Sequence, residues 1–393
     1  MKRAILTISA IFLLLLFINL LIGLANTALL APWNHGARVL ESPFKTLSGA
    51  VHIHSRHSDG SGWLSRIQQA ARNTGLDFIL LTDHNDTVLA DSVSGSTEPV
   101  MLAGAELSLQ AGHLLLYGGP RVRDGFREQD FGGQQALLDS MEQNSGFAIV
   151  AHPFHPKISW KDSISRRIAG IEVINADVEW RNDSPLKLLR AIFALPFYDH
   201  AMNSLLDMPH KELALLDSLS QRQPVAAIGS VDAHARIKLS KTMFWRFPSY
   251  EKNFRLVQTA LVVPDSSTGD STAVVEALKR GNTIAGYAAF GDLRQISIWL
   301  DSTDGPLPPG SVATPGEGPV LRVQTPAGYA VSVRLYQNGI RIRESNSNDI
   351  RWPVEKPGVY RVVVLQLRRQ FPFLSRSEIA WAFSSPFYMH SPE

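Results

Sequence analysis

Short apolar runs that each end on a polar residue recur along most of this chain. Residues 50–54 read as a strand, and Trp63, Leu64, Ile67, Ala70 and Ala71 then mark one face of a helix that Gly75 ends. Residues 78–81 are an unbroken apolar run, the pattern of a strand covered on both faces as in a parallel sheet. Further strands are predicted at 100–105, 113–117, 147–150, 171–174 and 225–228, with helical stretches such as 134–144 between several of them. Repeated strand and helix predicts an α/β sheet, closed or open, over residues 47–286. The stretch 177–222 breaks that beat. It is longer than a simple crossover, carries two helix-like segments rich in Leu, Ala and Phe, and reads as an insertion near the mouth of a site.

After Gly286 the period changes to two. Residues 295–300, 320–324, 330–336, 340–343 and 359–367 alternate apolar with polar, and Asn338-Gly339 is a hairpin turn between two of these runs. They predict an antiparallel β-sandwich of roughly 100 residues. Arg368, Arg369, Phe371, Phe373 and Trp381 are read as a hairpin loop with buried aromatics in preference to a membrane-facing or substrate-facing edge.

The N-terminus follows a third pattern. Lys2 and Arg3 precede an uncharged stretch, 4–36, whose core 5–24 is apolar on every face and about long enough to cross a bilayer. A buried core helix is the poorer reading, because apolar residues cover every face. An uncleaved inner-membrane anchor is favoured over a cleaved signal, because residues 25–31 offer no clean A-x-A site. The positive end should stay cytoplasmic and leave the rest of the chain periplasmic, or secreted if cleavage occurs.

Composition narrows the chemistry. At 393 residues the chain accommodates one large unit and a smaller one, divided here as 1–36, 45–288 and 289–393. A net charge of +2 indicates no nucleic-acid partner. The absence of cysteine excludes disulfides and thiolate ligands, so a metal would be held by His, Asp and Glu.

Such residues stand at the ends of the predicted strands. His52 and His54 are two apart on a strand and so point to one face. Asp59 follows in a Ser-Asp-Gly turn, with His57 as a competing candidate. His84 closes the next apolar run, with Asp83 beside it as an acceptor for an imidazole N–H. Glu106, His152, Asp232 and His234 each follow a strand. In barrels and open α/β sheets the C-terminal strand ends form the active face, so these residues would converge. More than six imidazole and carboxylate ligands imply two or three divalent ions, Mn, Zn or Fe. Such centres activate water and clamp the oxygens of a displacement, and phosphoester hydrolysis is the natural reading. No GxSxG elbow, cysteine nucleophile or Gly-rich phosphate loop offers a different chemistry.

The HxH of His52 and His54 with Ser58-Asp59-Gly60, the TDH ending at His84, Glu106, the AHP containing His152 and the DxH of Asp232 and His234 occur in that order. As a set they resemble the PHP (polymerase and histidinol phosphatase) family of metal-dependent phosphoesterases over residues 47–286. The resemblance implies an α/β fold, a distorted (β/α)7 PHP barrel, here with a C-terminal all-β sandwich-like domain and an N-terminal transmembrane or signal helix. It implies a di- or trinuclear metal site, adds His113 as a further ligand, and prefers Asp59 over His57. The overall architecture is similar to the exported CehA/McbA-like metallohydrolases, which keeps carboxylic and carbamic esters open as substrates. A non-catalytic envelope-binding module is the reading from another class. Arg56, His155, Lys157 and Arg236 are candidates for holding an anionic small-molecule substrate, with Asp59, His155 and Arg236 assigned catalytic roles and His155 the general acid.

Overall fold

Seven short strands close into a barrel in sequence order: β1 (Phe44–Ile53), β2 (Phe78–His84), β3 (Val100–Ser108), β4 (His113–Tyr117), β5 (Phe147–Val150), β6 (Gly170–Asn175) and β7 (Ala226–Ala233). Closure is made where Val51 and Ile53 of β1 pair with Ser230 and Ala233 of β7. The computed structural model describes residues 2–32, 42–93, 98–123, 126–238, 240, 243–315, 318–372 and 374–390. Phe373 and the part of the uncharged N-terminal stretch after Pro32 lie outside the described residues.

The barrel is mostly parallel, with one reversal. β4 runs antiparallel to both β3 and β5. The four-residue turn from Leu109 to Gly112, closed by Leu109 N–H donating to Gly112 O at 2.9 Å, is far too short for a parallel crossover. The start of β4 therefore lies beside the C-terminal ends of its neighbours.

Alternation sorts each strand into two faces. Val51, Phe78, Leu80, Val100, Leu102, Leu115, Ile149 and Ile228 fill the barrel interior. Outside, α2 (Leu64–Asn73), α3 (Gln134–Gln143) and α7 (His210–Ser220) pack Ile67, Leu137 and Leu216 over the alternate residues. Among the remaining helices, α1 (Lys2–Leu29) precedes the barrel, α4 (Ala176–Arg181), α5 (Pro185–Phe193) and α6 (Tyr198–Asn203) follow β6, and α8 (Tyr250–Phe254) follows β7. α9 (Ser271–Arg280) adds Val274, Ala277 and Leu278 to the interior cluster.

The insertion holds α4, α5, α6 and α7 instead of two longer helices. Proline accounts for the fragmentation: Pro185 opens α5, Pro196 lies in the 3-10 turn Leu195–Phe197, and Pro209 precedes α7.

The sheet does not stop at the barrel. The first half of β1 pairs antiparallel with β10 (Gln258–Pro264), β10 with β11 (Thr283–Gly286), and β11 with β20 (Arg376–Ser384). Between β7 and β10 lies a small hairpin, β8 (Ile237–Lys238) and β9 (Phe244–Trp245). Beyond β11, β12 (Ser297–Ser302), β13 (Gly305–Leu307), β15 (Val320–Gln324) and β18 (Asp349–Pro353) form a separate sheet, with β14 (Val312–Ala313) outside it. It faces β16 (Val331–Gln337), β17 (Ile340–Ser345), β19 (Gly358–Arg369), β20 and β21 (Phe387–Met389) across a core that joins Ile298, Leu321 and Val323 to Val333, Leu335 and Val364. Asn338 and Gly339, at φ 52° and 81°, make the β16–β17 turn. Arg361 of β19 forks onto Asp217 of α7 at 2.5 and 2.7 Å and ties this sheet to the insertion.

The residues predicted as one hairpin loop with buried aromatics divide instead: Arg368 and Arg369 lie in β19, Trp381 in β20 and Phe371 in the turn between them. Trp381 and Arg368 are buried, whereas Arg369 and Phe371 are exposed. Arg368 donates to Leu29 O and Ala31 O at the end of α1, where orphan helix carbonyls favour a cation.

Candidate metal centre

The inward faces of β2, β3 and β4 each lead up to a candidate metal-ligating side chain. Phe78 and Leu80 continue to His84, Val100 and Leu102 to Glu106, and Leu115 back to His113, each in steps of two. His84 and Glu106 are directly paired across β2 and β3. The hairpin reversal brings His113, at the first position of β4, to the same end.

His52 reaches the centre by a different route. Val51 points into the barrel, so simple alternation would send His52 outward. A bulge between Val51 and Ile53, with His52 at φ 68°, flips the phase so that His52 and His54 face inward and Ile53 outward. His152 at φ 27° and Asp232 at φ 46° are held in the same sparsely populated region. Three buried candidate ligands thus carry backbone strain, of order 1–3 kcal/mol each, that the surrounding fold sustains.

The carboxylate of Glu106 lies at the middle. Its Oε2 is 3.1 Å from His52 Nε2, 3.2 Å from His54 Nε2 and 3.1 Å from His84 Nδ1. Its Oε1 is 2.6 Å from His113 Nδ1 and 3.0 Å from His152 Nε2. Asp232 Oδ1 is 3.2 Å from His54 Nε2, and Asp59 Oδ1 is 3.1 Å from His234 Nε2. Three overlapping groups result, His52-His54-Glu106-Asp232, His54-Asp59-His84-His234 and His84-Glu106-His113, with ligand atoms in each within 4.8 Å of one another.

This donor set fits divalent cations. His52 Nε2, both ring nitrogens of His54, Glu106 Oε2 and Asp232 Oδ1 are buried without a hydrogen-bond partner, a costly arrangement for a site meant to stay empty. Burial opposes charge on His54, yet the Asp232 and Glu106 carboxylates, each 3.2 Å from its Nε2, push it up to about 10. Burial alone would raise the Glu106 and Asp232 carboxyls, but the surrounding imidazoles hold both well below the usual range. Protons occupy the place of cations in this balance. Burial takes His84 down to about 4, leaving it neutral and ready to ligate.

The remaining predicted residues separate. Asp59, held at about 2 by His234 despite burial that would raise it, faces the cluster, whereas His57 is exposed with its ring 6.3 Å from Trp63. Arg56 is exposed and stacks over Trp63 at 4.9 Å, and the Lys157 side chain is exposed. Arg236 lies at the rim, donating through Nη1 to Asp59 O at 3.1 Å, with a buried Nε that has no partner. His155 packs 5.3 Å from His152, and its Nδ1 accepts from the backbone N–H groups of Lys157 and Ile158. Burial and the neighbouring His152 hold it at about 4, so it is neutral near pH 7 and its Nε2–H is the remaining donor.

Comparison with known proteins adds solved structures alone, since no family model and no curated protein matches the sequence. A two-domain protein from Bacteroides vulgatus containing a predicted PHP-like metal-dependent phosphoesterase matches over 89% of this chain and 99% of its own, at 15% identity and TM-score 0.42. A metal-dependent phosphoesterase, so described, from Bifidobacterium adolescentis matches over 59% and 96%, at 13% identity and TM-score 0.32. An amidohydrolase from Chromobacterium violaceum matches over 47% and 87%, at 14% identity and TM-score 0.28. The chain is similar to PHP-like proteins. That likeness is distant, and the barrel assignment stands on its own strand order.

Two residues of this centre escape a reading by motif. Glu172, fully buried in β6, accepts from His52 Nδ1 at 2.7 Å, from His152 N–H at 2.7 Å and from Asn175 Nδ2 at 2.8 Å. A lone acid inside the apolar run GIEVIN was its signal. Tyr250 donates its hydroxyl to His54 O at 2.7 Å and accepts from Gly62 N–H at 3.0 Å. Nothing local marks it. Asp83 corrects an expectation: it accepts from the Ser55 N–H and the Ser55 and Ser58 hydroxyls, and so braces the loop bearing Asp59 instead of an imidazole.

Proposed function

We propose that this chain is a metal-dependent hydrolase acting on a small-molecule phosphoester. The observation that carries the reading is the set of buried, unpartnered nitrogen and oxygen atoms around Glu106. His52, His54, Asp59, His84, Glu106, His113, His152, Asp232 and His234 hold two or three divalent ions, Mn, Zn or Fe, in this reading. Bound there, such cations supply Lewis acidity toward a phosphoryl oxygen and toward water. Glu106 bridges the groups, and Glu172 fixes the His52 ring so that Nε2 faces inward. The Arg236 guanidinium at the rim and the His155 Nε2–H are donors for substrate oxygens in this reading, and His155, neutral near pH 7, serves as a hydrogen-bond donor and not as the general acid expected from the sequence.

In the same reading α1 stays as an anchor and the barrel unit up to 288 and the β unit from 289 lie outside the cytoplasm. The uncharged 25-residue span 5–29, which contains an 18-residue window of mean hydropathy 2.9, and the preceding Lys2 and Arg3 support this orientation. The β11–β20 pairing makes the two units fold as neighbours.

Metal analysis of the purified protein, then turnover of phosphomonoesters and phosphodiesters against carboxylic and carbamic esters, tests the proposal. Metal-dependent release of phosphate is expected. Turnover confined to carboxylic or carbamic esters would move the reading to that class, and metal-free, inert protein would leave a binding module.

A further inference from the structure

α5 and the turn that follows it run along α1 and leave the barrel behind. Phe193 at the end of α5 meets Phe12 edge-on, with ring centroids 5.8 Å apart at 73°. Phe197 fills the notch at Gly23, where a Cβ would come within 2.7 Å of its Cδ2. Phe12 and Gly23 are separated by about 16 Å of helix rise. The insertion therefore follows α1 for more than two turns.

The chemistry of this elbow is that of a surface out of water. Residues 191–197 read AIFALPF, with no polar side chain. Leu186, Leu189 and Ile192 of α5 are 59, 48 and 58% exposed, with the exposed Arg190 at the edge of their face. The elbow satisfies part of its backbone internally, as an apolar medium favours: Ala194 N–H donates to Arg190 O at 3.0 Å, Phe197 N–H donates to Ala194 O at 2.8 Å, and Pro196 has no N–H. Polar groups gather at the opposite end of α5, where Lys187 pairs with Asp183 and Asp207 at 2.6 Å each.

We propose that α5 and the 191–197 elbow are a re-entrant membrane contact, immersed in the bilayer beside α1 from the side of the barrel. The inference rests on α1 being a retained span. The apolar core of a bilayer is about 30 Å thick, and a 25-residue helix is about 37 Å long. Any placement that puts most of that span in the core carries residues 12–23 with it, and whatever packs on them. The occupant of the exposed face is lipid, and the insertion fixes the barrel at the membrane surface by a second contact besides α1.

The cysteine-free sequence makes the test direct. Leu189→Cys, Ile192→Cys and, as an aqueous control, Ile340→Cys on the β17 strand are made in the full chain. Each is reconstituted into phosphatidylcholine and phosphatidylglycerol vesicles. A membrane-impermeant maleimide should modify position 340 at least tenfold faster than 189 or 192, and a fluorophore at 189 or 192 should be quenched by doxyl-labelled lipid. Modification of 189 and 192 at the rate of 340 would overturn the proposal. So would protection without lipid quenching but with 189–189 cross-links, which would mean that a second copy covers the face. Intact mass of the membrane-extracted chain separates the two levels. Loss of α1 refutes the anchor and the elbow together, whereas a retained α1 with a reactive Cys at 189 refutes the elbow alone.

Discussion

Glu172 Oε1 lies 2.7 Å from Nδ1 of His52, and the other oxygen of the same carboxylate holds the backbone N–H of His152 at 2.7 Å. One buried acid on β6 thus fixes two histidines on β1 and after β5, both in left-handed backbone. A carboxamide can serve these partners only by donating to His52 Nδ1, which moves the imidazole proton to Nε2, the nitrogen that faces the ligand cluster. Glu172→Gln should therefore lower metal affinity and turnover by about 10- to 100-fold. Metal retained after dialysis, measured beside initial rates, checks this. Retention equal to the parent protein would show that Glu172 does not position His52.

His54 belongs to two of the three ligand groups. His54→Ala should abolish metal-dependent turnover and reduce bound metal while leaving the far-ultraviolet circular dichroism unchanged. A variant that keeps both metal and activity would remove His54 from the centre.

Acid and base should act on the metal-free protein with a definite sign. The His54 pKa is raised from 6.5 to about 10 in the folded chain, so its contribution is fully present below about 6.5 and is lost as pH rises through about 10. Asp59, lowered to about 2, contributes above its ordinary 3.8 and loses that contribution as pH falls through 2. EDTA-treated protein should therefore melt at a lower temperature as pH climbs from about 7 to 10. Cations must displace the His54 proton, so apparent metal affinity should rise over the same window. Thermal melts and metal titrations across that range decide it, and a flat affinity would contradict the proton count.

Tyr250→Phe removes a hydroxyl that holds His54 O and Gly62 N–H in a buried place. The unsatisfied groups should cost about 1–3 kcal/mol, with a fall of several degrees in Tm. Differential scanning calorimetry of metal-loaded protein measures it; an unchanged Tm would mean that water or a neighbour takes over both bonds.

Much of the barrel was legible because its signals are local. The runs at 78–81 and 147–150 lie inside β2 and β5, and 320–324 coincides with β15, since burial on both faces or on alternate faces writes itself directly into residue order. The reversal of β4 was not legible as a direction, although the short gap before His113 contained it. Proline in the insertion split two expected helices into smaller pieces. His113 entered only by family resemblance, because a histidine that begins a strand gives no sign of which end it occupies.

By itself the sequence determined which side chains could bind a metal and the order in which the strands deliver them, because both depend on residue type and spacing. Tertiary structure alone decided their aim. Alternation along β1 set His52 and His54 on a common face, but the bulge at His52 chose which face, through pairing with β2 and β7 that lie far away in the chain. The Glu172 carboxylate and the Tyr250 hydroxyl likewise depend on contacts between distant elements. A single residue of register reverses every side chain that follows it, and only closure of the barrel fixes that register.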